Sequence, residues 1–307
     1  SRTFLFRRRV RPPMDTSEQL YEQAATGWKR GLYDDVRHTF RAPIVNWIFR
    51  TTMANHPEFV RYMWGQVKPA FETRQFGRVS VEYRDSVLSP LERERDLPAY
   101  RREDVGVSPA EYAELRAQLS TFDVVAPRLA VLFEVVERSL SGEPVGTTPE
   151  GSRAATEPLP PELDRDRGAP PTLATVEDPP PDLGSTVESI RSFHGLESGL
   201  PSVYRCLAQW PAYLLEAWDD VEPALESDAF AEGRADARAA VEGYVESLPY
   251  VPRLGPDALH ERGIDDAAVV ELRALFREFN RGPIETVVPA IHVFASTLRV
   301  TGERSFR

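Results

Sequence analysis

Apolar positions along the chain recur at helical spacing, and no stretch alternates apolar and polar residues as a half-buried strand does. Leu32, Val36 and Phe40 fall at i, i+4 and i+8, a single helical stripe. Arg41-Ala42-Pro43 breaks that pattern, and IVNWIFRTTMA restores it up to Asn55. Pro57 then stands at a first-turn position, where the amide proton it lacks has no intrahelical partner. The helix it opens carries Phe59, Val60, Met63, Trp64, Val67 and Phe71 on its apolar side, with Pro69 placed to kink or end it. Upstream, Asp15, Thr16 and Ser17 supply N-cap chemistry ahead of Leu20, Tyr21 and Ala24, which predicts helix from Met14 onward. Residues 76–106 are less regular, with Pro90 and Pro98 read as breakers. The run from Ser108 through Pro109 to Glu111 is a capping box. Its helix passes Tyr112, Leu115, Leu119 and Phe122 and continues beyond Pro127 to Val136. Later helices are predicted from near Ser185, over Phe230 to Leu248, and after an Asp265 cap. The fold class is all-α.

The pattern repeats. The stretch Leu200 to Phe230 has a degraded copy 154 residues upstream: Ala54/Ala208, Pro57/Pro211, Trp64/Trp218, Val67/Val221, Pro69/Pro223, Ala70/Ala224, Glu72/Glu226 and Phe76/Phe230 are identical pairs. At an offset of 157, Leu115/Leu272, Arg116/Arg273, Ala117/Ala274 and Phe122/Phe279 match, and Asp123 faces Asn280. A tryptophan and two prolines in register read as an internal duplication. Between the copies, residues 141–184 hold ten of the 27 prolines and few large apolar side chains, so they are expected to form a flexible or draped linker. The expected organisation is a tail over 1–14, one helical repeat over 15–140, the linker over 141–184 and a second repeat over 185–307. Any ligand site is to be sought where the two repeats face each other.

Composition narrows the function classes. Apolar residues make up 41% of the 307, and no run approaches the roughly 20 apolar residues that a membrane span needs. The net charge is −11, and Lys29 and Lys68 are the only lysines. An acidic chain poor in lysine suits a salt-rich cytosol of the haloarchaeal kind, although a high-GC codon bias also depletes lysine. Either origin argues against nucleic-acid binding, which needs a basic stripe. A lone cysteine, Cys206, rules out an intrachain disulfide and points to a cytoplasmic protein. The expected partner is a small organic acid, with no nucleic acid and no membrane, and the pattern specifies no oligomeric state.

Candidate chemistry is sparse. There is no phosphate-binding glycine loop, HExxH, paired CxxC or G-x-S-x-G elbow. The histidines at 38, 56, 194, 260 and 292 make no ligand pair at helical spacing, so no metal is expected. Asp123 lies within an apolar helical stretch, where desolvation would raise a carboxyl group toward the range of a general base; the competing reading makes it a cap for a segment restarted at Pro127. His194 and Glu197 precede the Leu200–Phe230 stretch, in what reads equally as a solvated helix-end loop. Ser202, Tyr204 and Arg205 open the next helix, either as carboxylate holders or as ordinary capping. Trp47, Trp64, Trp210 and Trp218 fit a core as well as a ligand platform.

The segments RAPIVNWIFRTTMANHP and GLPSVYRCLAQWP, with the helix from Gly106 to Leu140, together resemble the group I 2-haloacid dehalogenases, which act on both enantiomers. The resemblance runs from Leu32 to about Leu298 outside the linker and includes the duplication. It implies an all-helical fold of two pseudo-symmetric copies with the active site between them. It implies no cofactor: an aspartate activates a water that displaces halide from the α-carbon, with inversion. The family's serine before that aspartate matches Ser202, but the aspartate position is Val203, and the assisting asparagine falls on Ala126. Trp47 keeps an aromatic residue of the family, and Phe279 stands for a tyrosine. The implied substrate-contacting set is Trp47, Ala126, Ser202, Val203, Tyr204, Phe279 and Asn280. Two readings follow. One is a homologue that keeps the pocket for a small organic acid without dehalogenating it. The other is a hydrolase of small 2-substituted acids with its acid relocated to Asp123 or Glu197. A purely structural scaffold is a third class. The helical unit also resembles the alkylhydroperoxidase-D-like group, whose chemistry needs a cysteine pair that Cys206 alone does not supply.

Overall fold

Most positions with helical spacing do form helices. In this computed structural model residues 13–148, 168–174 and 181–305 are described, and among them there is no strand. Gly27–Phe40 (α1) buries Tyr33, Val36 and Phe40, and ends on Arg41 in the left-handed conformation. Trp47–Asn55 (α2) leads into Pro57–Val67 (α3), whose proline occupies the first turn. Around Pro69 the chain tightens into a 3₁₀ turn over Lys68–Glu72. Arg74–Glu94 (α4) is capped by the Thr73 hydroxyl, which accepts from Phe76 N at 3.1 Å. Pro109–Leu140 (α5) opens with the expected capping box and runs through Pro127 without interruption. The second half contains Gly184–His194 (α6), Ser202–Leu207 (α7), Pro211–Leu225 (α8), Asp228–Glu246 (α9), Pro256–His260 (α10), Asp266–Arg281 (α11) and Ile284–Thr297 (α12).

Three local expectations fail, each for a physical reason. Residues 15–26 are not helical: the Asp15 carboxylate accepts from Ser17 N at 2.9 Å and closes a turn, and Leu20 N donates to Arg50 O at 3.1 Å, holding the segment against α2. Pro90 does not break the chain. It lies buried near the end of α4, whose apolar face from Phe76 to Leu91 packs on α9 and outweighs one missing hydrogen bond. Ser202 caps nothing, because Pro201 is the N-cap of α7 and no side-chain cap bond forms there.

The long helix α5 is the axis of the molecule, with most residues from Leu115 to Leu140 buried. It packs on α11 and α12 and also touches α4, α7 and α9. The most extensive helix pair is α4 with α9. Gly233 permits that approach, since a Cβ there would sit 2.6 Å from Ser86 O. Features 154 residues apart share local structure: Arg41 and Gly195 are both left-handed C-caps, Pro57 and Pro211 both open helices, and Thr73 and Ser227 both cap them. Trp64 packs edge-on against Phe40, and Trp218 lies against His194.

Of the stretch 141–184, residues 149–167 and 175–180 lie outside the described residues, as do residues 1–12 of the tail. Residues 168–174 form no regular element, yet they are fastened on both sides. Thr121 Oγ1 donates to Ala169 O at 2.9 Å, Thr172 N to Gln118 Oε1 at 2.9 Å, and Ala174 N to Arg205 O at 3.0 Å. Among the described residues no helix is long and apolar enough to cross a membrane.

Candidate functional site

A cavity of about 320 Å³ opens where the start of α2, the middle of α5, the 195–201 turn with α7, and α11 with α12 converge. Helix α5 presents Phe122, Leu129 and Phe133 to it, at i, i+7 and i+11 on one face. Trp47 and Phe279 stack across it with ring centroids 5.1 Å apart and planes 16° apart, and Phe133 tilts against Phe279 at 5.3 Å. The wall is mainly apolar, with Thr16, Asn46, Ser198 and Ser202 as neutral hydrogen-bonding side chains. Among the lining residues Arg205 is the only guanidinium and Glu278 the only carboxylate, and Glu278 is solvent-exposed. Arg205 is half-buried, its Nε donates to Ala174 O at 3.0 Å, and among the described residues no carboxylate pairs with it.

The structure gathers part of the set expected from sequence. Trp47, Ser202, Val203 and Phe279 line the cavity. Ala126 is fully buried, four residues from Phe122 and three from Leu129, so it stands on the same face of α5 just behind the wall. Glu197 is exposed, flanked by the lining residues Leu196 and Ser198 without lining the cavity itself.

The others lie elsewhere. Tyr204 is buried and belongs to a chain of hydrogen bonds through His194, whose Nε2 is 2.6 Å from Tyr204 Oη and whose Nδ1 is 2.6 Å from Thr286 Oγ1. Thr286 spends its proton on Pro283 O at 3.1 Å, so Nδ1 carries the imidazole proton and Nε2 accepts from Tyr204. Burial, and then repulsion from Arg234, push the His194 pKa down to about 3. His194 is therefore a neutral core residue, not part of a solvated loop. Asn280 donates to Glu134 Oε2 at 2.7 Å and faces a different hollow.

Asp123 is wholly buried and outside the cavity lining. His292 Nδ1 donates to its Oδ1 at 2.7 Å, Gly302 N donates to Oδ2 at 2.7 Å, and Arg84 Nε lies 3.3 Å from Oδ2. Nor does it cap anything, since α5 runs through Pro127 unbroken. Its carboxylate fastens the segment after α12 to α4 and α5. The sequence pattern puts Phe122 on the apolar stripe of a helix that continues past Phe133, without assigning either to a site. Their spacing on the face that also holds Ala126 was the available signal. The cavity residue Glu278 carried no such signal. Among the described residues no group of three or more His, Cys, Asp or Glu side chains could hold a metal ion.

Comparison with known proteins shows what the chain is similar to. The chain superposes on a D-2-haloacid dehalogenase in complex with L-LA with a TM-score of 0.78 at 22% identity, covering 91% of this chain and 95% of that one. A D-2-haloacid dehalogenase mutant in complex with D-2-CPA gives 0.78 at 22% identity, covering 91% and 94%. These likenesses define the fold as the all-helical one of that class. In sequence, the chain is 26% identical over 247 residues to an (R)-2-haloacid dehalogenase from Pseudomonas putida, covering 78% of this chain and 79% of the relative. It is 26% identical over 240 residues to an (R)-2-haloacid dehalogenase from Rhizobium sp. (strain NHG3), covering 77% and 90%. The family described as "Halocarboxylic acid dehydrogenase DehI" matches residues 43–179. Family model, relatives and fold all point to similarity with the 2-haloacid dehalogenases.

Proposed function

We propose that the cavity binds a small 2-substituted carboxylic acid, and that the protein does not release halide by the water-activating route the family resemblance implies. The observation that carries this reading is Val203 in the cavity wall with Ala126 behind it. Direct displacement needs a base within hydrogen-bond reach of the attacking water, about 2.6–3.2 Å. Neither a valine nor an alanine accepts a proton, and the one lining carboxylate, Glu278, is solvent-exposed. Arg205 supplies the charge that would hold a carboxylate, Ser202 a hydroxyl, and the Trp47–Phe279 pair an apolar face for the 2-substituent.

We also infer that residues 15–140 and 185–307 are two copies of one unit joined by 141–184, which places this cavity at their seam. The caps and prolines that recur 154 residues apart support it, as does the packing of α4 on α9 and of α5 on α11, each pair related by the sequence repeat.

Titration of the intact protein with the enantiomers of 2-chloropropionate, alongside a chloride-release assay, tests the functional reading. Saturable binding is expected, weakened about tenfold or more by Arg205→Gln because a charge-assisted hydrogen bond is lost, with chloride release at background. Absence of binding, or binding indifferent to Arg205→Gln, overturns it. Robust chloride release would instead establish a hydrolase with a relocated acid, and the loss of activity in Asp123→Asn or Glu197→Gln would name that acid.

A further inference from the structure

A second hollow, of about 200 Å³, lies behind the cavity wall and shares Phe133, Phe279 and Val288 with it. Its lining mixes apolar residues, Ala130, Ala231, Ala235 and Pro289 with the shared ones, and ionic residues. Among the ionic ones Arg238 Nη2 pairs with Glu285 Oε1 at 2.6 Å and donates to Asn280 O at 3.2 Å. Arg281 Nη2 pairs with Glu134 Oε2 at 3.0 Å and with Glu242 Oε1 at 3.1 Å. Arg234 is not engaged in this way. Its nearest carboxylate, Glu285, is 3.8 Å from Nη1, beyond hydrogen-bond range, and among the described residues its Nη groups donate to nothing.

Tyr83 supplies a second donor facing the hollow. It lines the hollow, is only 5% exposed, and its Oη has no hydrogen-bond partner among the described residues. Burial holds this phenol well above its ordinary pKa, while Arg238 and Arg234 pull the other way. The group is thus a permanent O–H donor in the field of two guanidinium groups. Glu285 holds Arg238, and Glu134 with Glu242 holds Arg281, so among the described residues Arg234 is the one lining guanidinium without a hydrogen-bonded carboxylate.

We propose that this hollow is a second binding site, for a small aliphatic monocarboxylate whose carboxylate lies between Tyr83 Oη and the Arg234 guanidinium and whose carbon chain rests on Ala231, Ala235 and Pro289. A single negative charge suits Arg234, among the described residues the one lining guanidinium without a hydrogen-bonded carboxylate. The apolar lining residues favour an organic anion over a bare halide, and the lining carboxylates Glu134 and Glu285 disfavour a dianion such as phosphate.

Calorimetric titration of the full chain with butyrate tests this, with phosphate and chloride as parallel ligands. Two butyrates per chain are expected. Tyr83→Phe keeps the ring that packs edge-on against His292 and removes only the hydroxyl; it should weaken one of the two sites about threefold to tenfold. Arg234→Gln should weaken the same site about tenfold or more, and Arg234→Lys, which keeps the charge over Phe230, should retain most of the binding. Arg205→Gln should weaken only the other site, so failure here and failure of the proposed function leave different traces. A single site abolished by Arg205→Gln and untouched by Tyr83→Phe and Arg234→Gln overturns the proposal. So does tighter binding of phosphate or chloride than of butyrate.

Discussion

Trp47 lies face to face with Phe279, ring centroids 5.1 Å apart and planes 16° apart. One ring comes from the start of α2 and the other from the end of α11, far apart in sequence, and together they bridge the candidate cavity. Stacked pairs of this kind contribute about 0.5–1.5 kcal/mol beyond their buried area. Trp47→Ala is expected to lower unfolding stability by about 1 kcal/mol and to weaken 2-chloropropionate binding, whereas Trp47→Phe should keep most of both. Denaturant unfolding and ligand titration on the same samples check the pair of outcomes.

Restoring proton-accepting chemistry to the wall is the second prediction. Val203→Asp with Ala126→Asn should raise chloride release above the unmodified protein by about 10²–10⁴, the usual contribution of a positioned general base. Ala126→Asn alone should give no release and should cost stability, because it leaves a buried amide to find partners. A double variant that folds and binds but stays at background would show that more than these two positions separates this cavity from an active one.

Asp123 is predicted to act through stability. Asp123→Asn removes one partner of a buried ionic group that includes Arg84 and His292. Breaking such a group typically costs about 3–5 kcal/mol. Chemical denaturation should show that loss, while 2-chloropropionate affinity of the folded fraction stays unchanged, because Asp123 does not line the cavity.

His194 gives a prediction in pH. Its folded pKa is depressed to about 3 by burial, below the ordinary value of about 6.5, so the unfolded chain binds the extra proton between those values. The stability it contributes is complete above about pH 6.5 and is lost as pH falls toward 3, with a slope of about 1.4 kcal/mol per pH unit. His194→Gln should flatten the unfolding free energy across that window by close to one proton. An unchanged slope would mean that His194 already titrates normally in the folded protein.

Much of the fold was legible because helical periodicity and capping are local. The Ser108–Glu111 box and the first-turn prolines at 57 and 211 stand where the residues indicate. Pro90 misled because its effect depends on the burial of α4 against α9, a contact between residues far apart in the chain. The cavity was half legible. Trp47, Ser202, Val203 and Phe279 came from the resemblance, whereas Asp123 looked reactive for the reason that makes it structural: a carboxylate in an apolar stripe must find donors, and these come from α4, α12 and the segment after α12, up to 179 residues away. No sequence pattern marks such partners.

The strap over residues 168–174 is fastened to α5, through Gln118 and Thr121, and to α7, through Arg205. The hydrogen bonds that hold it do not require an unbroken backbone across 149–167. A nick there would leave two fragments whose mutual surface, α4 on α9 and α5 on α11, is the interior of the molecule. The protein is thus a natural candidate for fragment complementation, in which two separately translated chains rebuild one cavity and ligand occupancy reports their meeting.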